Sequence, residues 1–169
     1  MDKDIRLHRI KICIYALMTA GVMLLIFLMS AEDAVSSTEL SDGLVQTFIG
    51  RALAWMPSIT GEGIGYDIRK YGHIAEYFLL GVSSTLLFGE IITFQRFDWT
   101  RLFLSALSGA LFSFAYACSD EYHQTFVEGR SGKFSDVGYD SIGYLTGTVL
   151  IFLFLILKKR KYRNKNGQR

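Results

Sequence analysis

Within the eighteen residues Ser119–Asp136 stand Asp120, Glu121, His123, Glu128, Arg130, Lys133 and Asp136. Carboxylates and imidazoles at such density can move protons as general acid and base. They are also the hard and borderline donors that suit a divalent cation, although their spacing matches no zinc signature. Arg130 could hold a phosphate or carboxylate through its guanidinium fork. A second polar stretch carries Arg69, Lys70, His73, Glu76 and Tyr77. Arg69, His73, Glu76 and Tyr77 stand at offsets 0, 4, 7 and 8, one stripe of a helix. Tyr116, Asp120, His123 and Gln124 repeat those offsets, whereas Glu121 points about 100° away from Asp120. Asp136 and Asp140 lie one turn apart. His73, Glu76, Asp120, Glu121, His123 and Asp136 are therefore the candidates for acid–base or metal chemistry. Arg69, Lys70, Tyr77, Tyr116, Gln124, Arg130 and Asp140 are the candidates for holding a substrate. There is no GxSxG, no P-loop and no evident nucleophile; Ser119 has no supporting pattern around it.

The elements that must position these groups are apolar. Hydrophobic residues gather in four blocks, predicting spans at about 12–29, 72–94, 102–120 and 137–157. Each block is near the roughly 20 residues that cross a hydrocarbon core of about 30 Å. Helices are the natural form, because their backbone polar groups are satisfied within the segment. The expected fold is an all-α integral membrane protein, a four-helix bundle forming a single domain over 1–169. The first block resembles a signal peptide in its basic flank and apolar core, but it is long and Met29-Ser30-Ala31-Glu32 lacks a small-x-small site. It reads as retained.

Thirteen of the eighteen Lys and Arg fall before the first span, in the loop between the second and third, or after the fourth. The excess predicts both termini in the cytoplasm. The basic tail from Lys158 to Arg169 reads as a topology anchor that touches anionic lipid, rather than a nucleic-acid arm. Between the first two spans, Ser36-Ser37-Thr38-Glu39 has capping-box spacing. Leu40, Leu44, Val45, Phe48, Ile49, Ala52, Leu53 and Met56 then share one face. This predicts an extracytoplasmic amphipathic helix over about 37–56, stopped by Pro57. Ser105, Gly109 and Ser113 in the third span, and Gly143 and Gly147 in the fourth, recur every four residues. Small residues at that spacing allow close helix approach. Cys13 and Cys118 are expected near opposite membrane faces, too far apart for a disulfide.

Under this topology the three polar stripes meet at the outer ends of their helices. Polar groups within a span face the bundle interior, because lipid exposure costs about 2.5–3.5 kcal/mol or more. The stripes thus predict one polar pocket open to the outside. Each group also has a plainer reading. Arg69 and Lys70 could snorkel, Arg130 and Lys133 could solvate a loop, and Asp140 could be an interhelical hydrogen bonder. Glu90, near the inner end of its span, reads as structural. Proton-coupled transport is disfavoured, since no matching polar residues are seen running inward from the pocket.

These residues also carry a family resemblance. Arg69-Lys70-x-x-His73-x-x-x-Tyr77-x-x-Leu80-Gly81, then Ser119-Asp120-Glu121-x-His123-Gln124-x-Phe126-x-x-Gly129-Arg130, then Asp136-Val137 with Gly143, resemble the VanZ-like membrane proteins. That family is named after a teicoplanin-resistance accessory protein. The likeness covers nearly the whole chain. Glu128 departs from the proline common before Gly-Arg, and Asp140 stands where asparagine is common. The resemblance implies an extracytoplasmic role that lowers susceptibility to teicoplanin-type lipoglycopeptides. Some members are labelled phosphotransbutyrylases, but that chemistry uses soluble cytosolic substrates and the predicted pocket faces outward. Two functions stay open at this point. One is a membrane-embedded hydrolase or transferase acting on a lipid-linked cell-wall intermediate or other amphiphile. The other is a non-catalytic protein that binds or shields a lipophilic ligand, such as the antibiotic, or a membrane partner.

Overall fold

The computed structural model describes residues 2–32, 64–93, 98–130 and 132–166. Four helices account for nearly all of them: α1 (Asp2–Ala31), α2 (Ile64–Thr93), α3 (Trp99–Gln124) and α4 (Phe134–Asn166). The described residues contain no strand. All four helices are long and apolar enough to cross a membrane, over Lys3–Ala31, Arg69–Thr93, Trp99–Gln124 and Phe134–Lys158. The chain is a multi-pass membrane protein. Its helices run past the apolar blocks at most ends. A 25-residue helix is about 37 Å long and the hydrocarbon about 30 Å thick, so charged end residues remain helical while reaching the interface. The segment 37–56, expected to be an amphipathic helix, lies outside the described residues.

The exterior shows what the helices face. Leu17, Leu24, Phe103, Leu111, Ile142 and Leu153 are exposed, whereas Ser83, Ser84, Thr85, Ser105, Ser113 and Thr148 are buried. A soluble domain reverses this arrangement; in lipid an apolar exterior carries no penalty and interior hydroxyls find partners in neighbouring helices.

α2 is the central element and packs against α1, α3 and α4. Glycines let it approach α4 until backbone meets backbone. A Cβ added at Gly143 would strike the Ile74 carbonyl and the Phe78 nitrogen, and one at Gly147 the Phe78 carbonyl. Gly81 accepts the Tyr144 backbone in the same way from the other side. The small residues of α3 face α2: Gly109 sits against Thr85, and Ser84 Oγ lies 3.1 Å from Ser113 Oγ. Thr85 donates to Thr148 Oγ1 across the α2–α4 seam at 3.1 Å. Between the α2 and α3 ends, Asp98 caps α3 by accepting the Arg101 N–H at 2.9 Å. Arg101 Nη1 in turn donates to the Ile92 carbonyl, one of the orphan acceptors at the end of α2, at 2.9 Å.

The pairings set the direction of each helix. His8 of α1 meets Glu90 of α2, Tyr77 of α2 meets Asp120 of α3, and Lys70 of α2 meets Asp136 of α4. The bundle therefore runs up-down-up-down, with the start of α1 and the far end of α4 at the same end. At that end His8 Nδ1 and Lys11 Nζ hold Glu90 Oε1 at 3.2 and 3.6 Å, which ties α1 to α2. Glu90 is thus spent on packing. Both cysteines are free.

Candidate functional site

At the other end of the bundle, the close of α1, the start of α2, the close of α3 and the start of α4 come together. Asp120 is the best-connected group there, and it is only 4% exposed. Its Oδ2 accepts from Ser30 Oγ of α1 at 2.9 Å, from Tyr77 Oη of α2 at 3.3 Å and from Gln124 Nε2 of α3 at 3.2 Å. Gln124 Nε2 is also 3.2 Å from Ser30 Oγ. One carboxylate oxygen thus joins three helices. The arrangement follows from the one-turn spacing of Asp120 and Gln124, which places both on the buried face of α3.

Glu121 is also buried but turns to a different partner, as its 100° offset requires. Its Oε2 accepts the Lys133 backbone N–H at 2.9 Å, fastening the α3–α4 loop over the end of α3. That loop turns at Gly129, whose φ of 72° lies in the left-handed region that glycine adopts without steric cost. It then passes Glu121 at Gly132, where a Cβ would meet the Glu121 carbonyl. The turn delivers Arg130 back toward α1, where Nη2 donates to the Met29 carbonyl at 3.2 Å. Burial, and next the nearby Arg69 charge, pull the Arg130 pKa below its ordinary value; the Asp120, Glu32 and Glu121 carboxylates oppose this.

A second group spans α2 and α4. Lys70 Nζ and Asp136 Oδ2 form an ion pair at 2.5 Å, and Lys70 lies over the Tyr139 ring, 5.5 Å from its centre. One turn further, His73 Nδ1 is 3.6 Å from Asp140 Oδ1, and Asp140 is only 1% exposed. Asp136 and Asp140 thus face α2 as a pair, each opposite a basic group. Arg69 is half-buried and within electrostatic reach of His73 and Arg130.

All thirteen candidate residues lie at this end of the bundle, divided between the two groups. Tyr116 is the outlier. Its hydroxyl donates to the Met23 carbonyl of α1 at 2.6 Å and its ring lies 6.5 Å from that of Tyr77, a turn below Asp120. It works as a brace between α1 and α3. Four buried polar atoms in the cluster have no hydrogen-bond partner among the described residues: Glu76 Oε2, His123 Nδ1, Arg130 Nε and Asp140 Oδ2. The donor set that suggested a divalent cation is dispersed. Asp120 and Asp136 are taken by other partners, and no three His, Cys, Asp or Glu among the described residues gather as metal ligands.

Ser30 is not among the thirteen candidate residues read from the sequence. It is fully buried and donates to Asp120, yet it stands at the end of an apolar helix with no polar stripe to mark it. The available signal was that Ser30-Ala31 resembles the opening of the VanZ-like family. Hydroxyls of Ser84, Ser113, Thr85 and Thr148 do run inward from the cluster, but they pair with one another. No Asp, Glu, His, Lys or Arg lies within the spans between the cluster and Glu90.

Comparison with known proteins adds a family. Residues 14–156 match the family model described as VanZ/LLP1. No curated protein and no solved structure matches the chain. The matched range runs from the fourth turn of α1 almost to the end of the α4 span and contains both polar groups. The chain belongs to the VanZ/LLP1 family.

Proposed function

We propose that this protein works at the outer face of a bacterial cytoplasmic membrane, with both termini in the cytoplasm. In this reading the polar cluster receives the head group of an amphiphilic or lipid-linked envelope molecule, and its action lowers susceptibility to teicoplanin-type lipoglycopeptides. The orientation is supported by the concentration of Lys and Arg at the end that carries the chain termini. The resistance role is supported by the VanZ-like motifs. The observation that carries the site is the presence of buried, unpartnered donors and acceptors at Arg130, Glu76, His123 and Asp140. Such atoms cost free energy unless a ligand satisfies them. Reporter fusions after residue 126 should report an extracytoplasmic location. A cytoplasmic signal there would overturn the orientation.

Chemistry at the site, as a hydrolase or transferase, is supported by Glu76 and His123, titratable groups whose Oε2 and Nδ1 have no hydrogen-bond partner among the described residues. Binding without chemistry is favoured by a different observation: Asp120, Glu121 and Asp136 are each occupied by neighbours. The test is a tolerance assay with envelope lipid and precursor analysis in cells expressing wild type, Glu76→Gln or His73→Ala at matched membrane abundance. Catalysis predicts a changed lipid or precursor pool that both substitutions abolish, together with the tolerance. Intact tolerance in both variants, with unchanged pools, would rule out the catalytic reading. Tolerance kept by Glu121→Asp with no change in any pool fits binding alone.

A further inference from the structure

The two polar groups differ in what they leave over. In the α2–α4 group the ion pair of Lys70 with Asp136 and the contact of His73 with Asp140 join opposite charges or a ring nitrogen with a carboxylate, and one buried acceptor, Asp140 Oδ2, has no partner among the described residues. In the α1–α2–α3 group Asp120 Oδ2 accepts from Ser30, Tyr77 and Gln124, whereas single atoms of Glu76, His123 and Arg130 have no hydrogen-bond partner among the described residues. Glu76, one position before Tyr77, is within electrostatic reach of both Asp120 and Arg130. His123, one turn beyond Asp120, is within reach of Asp120, and its ring is braced against Phe27. Arg130 also feels Asp120, and its Nη2 is fixed to the Met29 carbonyl. Three side chains with buried atoms unpartnered among the described residues thus lie within electrostatic reach of one carboxylate, whose Oδ2 already accepts three hydrogen bonds.

The hydrogen-bond inventory of those atoms defines a ligand. Arg130 Nε can only donate, an ionised Glu76 Oε2 can only accept, and His123 Nδ1 does either according to tautomer. With Glu76 ionised, a group that satisfies all three presents an acceptor, best an anionic one beside the guanidinium, together with an O–H or N–H donor. A fully ionised diester phosphate offers acceptors alone and would face Glu76 as a like charge. A terminal phosphate carrying one proton offers both, with its P–O–H directed to Glu76 and its anionic oxygens to Arg130.

We propose that Glu76, His123 and Arg130 form a subsite for a singly protonated terminal phosphate, and that Asp120 is a positioning residue that holds the three helices around it. The proposal rests on the reading of the cluster as a working site and specifies the ligand it takes. A terminal phosphate occurs on a lipid head group and as the free ion, and the same three contacts serve either. The length of α2 and α3 puts the subsite near the lipid interface, where a head group arrives with its chains already in the bilayer.

The test uses the full chain in phosphatidylcholine nanodiscs, titrated with dihexanoyl phosphatidic acid, dihexanoyl phosphatidylglycerol and inorganic phosphate. The monoester should bind about tenfold or more tightly than the diester, as expected for one charge-assisted hydrogen bond gained and one repulsion avoided. Arg130→Gln should lose about tenfold or more in affinity for phosphatidic acid, with Arg130→Lys, which keeps the charge without the fork, as the second variant if the first does not fold. Glu76→Gln should remove the preference for monoester over diester. Equal binding of the two lipids by wild type, or wild-type affinity in Arg130→Gln, overturns the subsite. Inorganic phosphate should compete more weakly than phosphatidic acid; equal competition overturns the lipid source and leaves free phosphate as the occupant. Asp120→Asn should lower thermal stability yet keep the monoester preference in the folded fraction, and loss of that preference alone would make Asp120 a ligand-binding group. Phosphatidic acid bound selectively by a protein that confers no tolerance would defeat the proposed function and spare the subsite. Tolerance lost in Glu76→Gln without any monoester preference in wild type would do the reverse.

Discussion

Gly143→Leu is expected to leave little or no folded protein in the membrane. A side chain at 143 would occupy the position of the Ile74 carbonyl and the Phe78 amide nitrogen, both backbone atoms of the central helix. No rotamer change relieves such a clash, so α4 must move away from α2 along the whole seam. That separation breaks the Thr85–Thr148 hydrogen bond and pulls Asp136 and Asp140 from Lys70 and His73. Overpacking a well-fitted interior costs about 1–3 kcal/mol. A backbone-to-backbone collision with loss of interhelical bonds belongs at or above the top of that range, about 3 kcal/mol or more. The control lies on the same helix. A Cβ at Gly138 meets nothing within 4 Å, so Gly138→Leu should stay within about 0.5 kcal/mol of wild type. Thermal unfolding in detergent, followed by size-exclusion profile, compares the two. A Gly143→Leu protein that elutes and melts like Gly138→Leu would show that the α2–α4 approach is not as close as described.

The second large effect is at Asp120. Asp120→Ala removes the shared acceptor of Ser30, Tyr77 and Gln124 and leaves three buried donors to find new partners. An unsatisfied buried polar group costs about 1–3 kcal/mol, while interhelical hydrogen bonds in membranes average about 0.6 kcal/mol because the unfolded helices also find partners. A net loss of about 2–4 kcal/mol is expected between those limits. Asp120→Asn keeps one acceptor oxygen and the side-chain volume and should lose less. Pairing Asp120→Ala with Ser30→Ala should cost less than the two single losses added, because the single variants remove the same bond. Unfolding curves of the four proteins measure this directly. Additive losses, or an Asp120→Ala protein as stable as wild type, would mean that the carboxylate does not join the helices.

Much of the site was legible because it is written in helical spacing. Arg69, His73, Glu76 and Tyr77 share a face whatever they pack against, and so do Asp120 and Gln124. The small residues of α3 and α4 were likewise visible as seams. What spacing could not supply was the partner. Ser105, Gly109 and Ser113 could have met any neighbour; Gly109 and Ser113 meet Thr85 and Ser84. The partner of Ser30 was illegible for a related reason. A single serine at the end of an apolar helix has no periodicity of its own, and its role depends on Asp120, ninety residues away in sequence.

Composition and order alone determined that this chain crosses the membrane as four helices and that its polar residues collect at helix ends. The reason is that burying a backbone and expelling charge from hydrocarbon depend on local sequence and little else. Tertiary structure decided how the adjacent carboxylates divide their work, with Asp120 turned to three helices and Glu121 to the loop. It also decided that Lys70 and His73 answer to Asp136 and Asp140, while single atoms of Glu76, His123, Arg130 and Asp140 have no partner among the described residues. Those outcomes depend on the rotation and approach of whole helices. The glycines of α2 and α4 permit that approach, and only the packed bundle settles it.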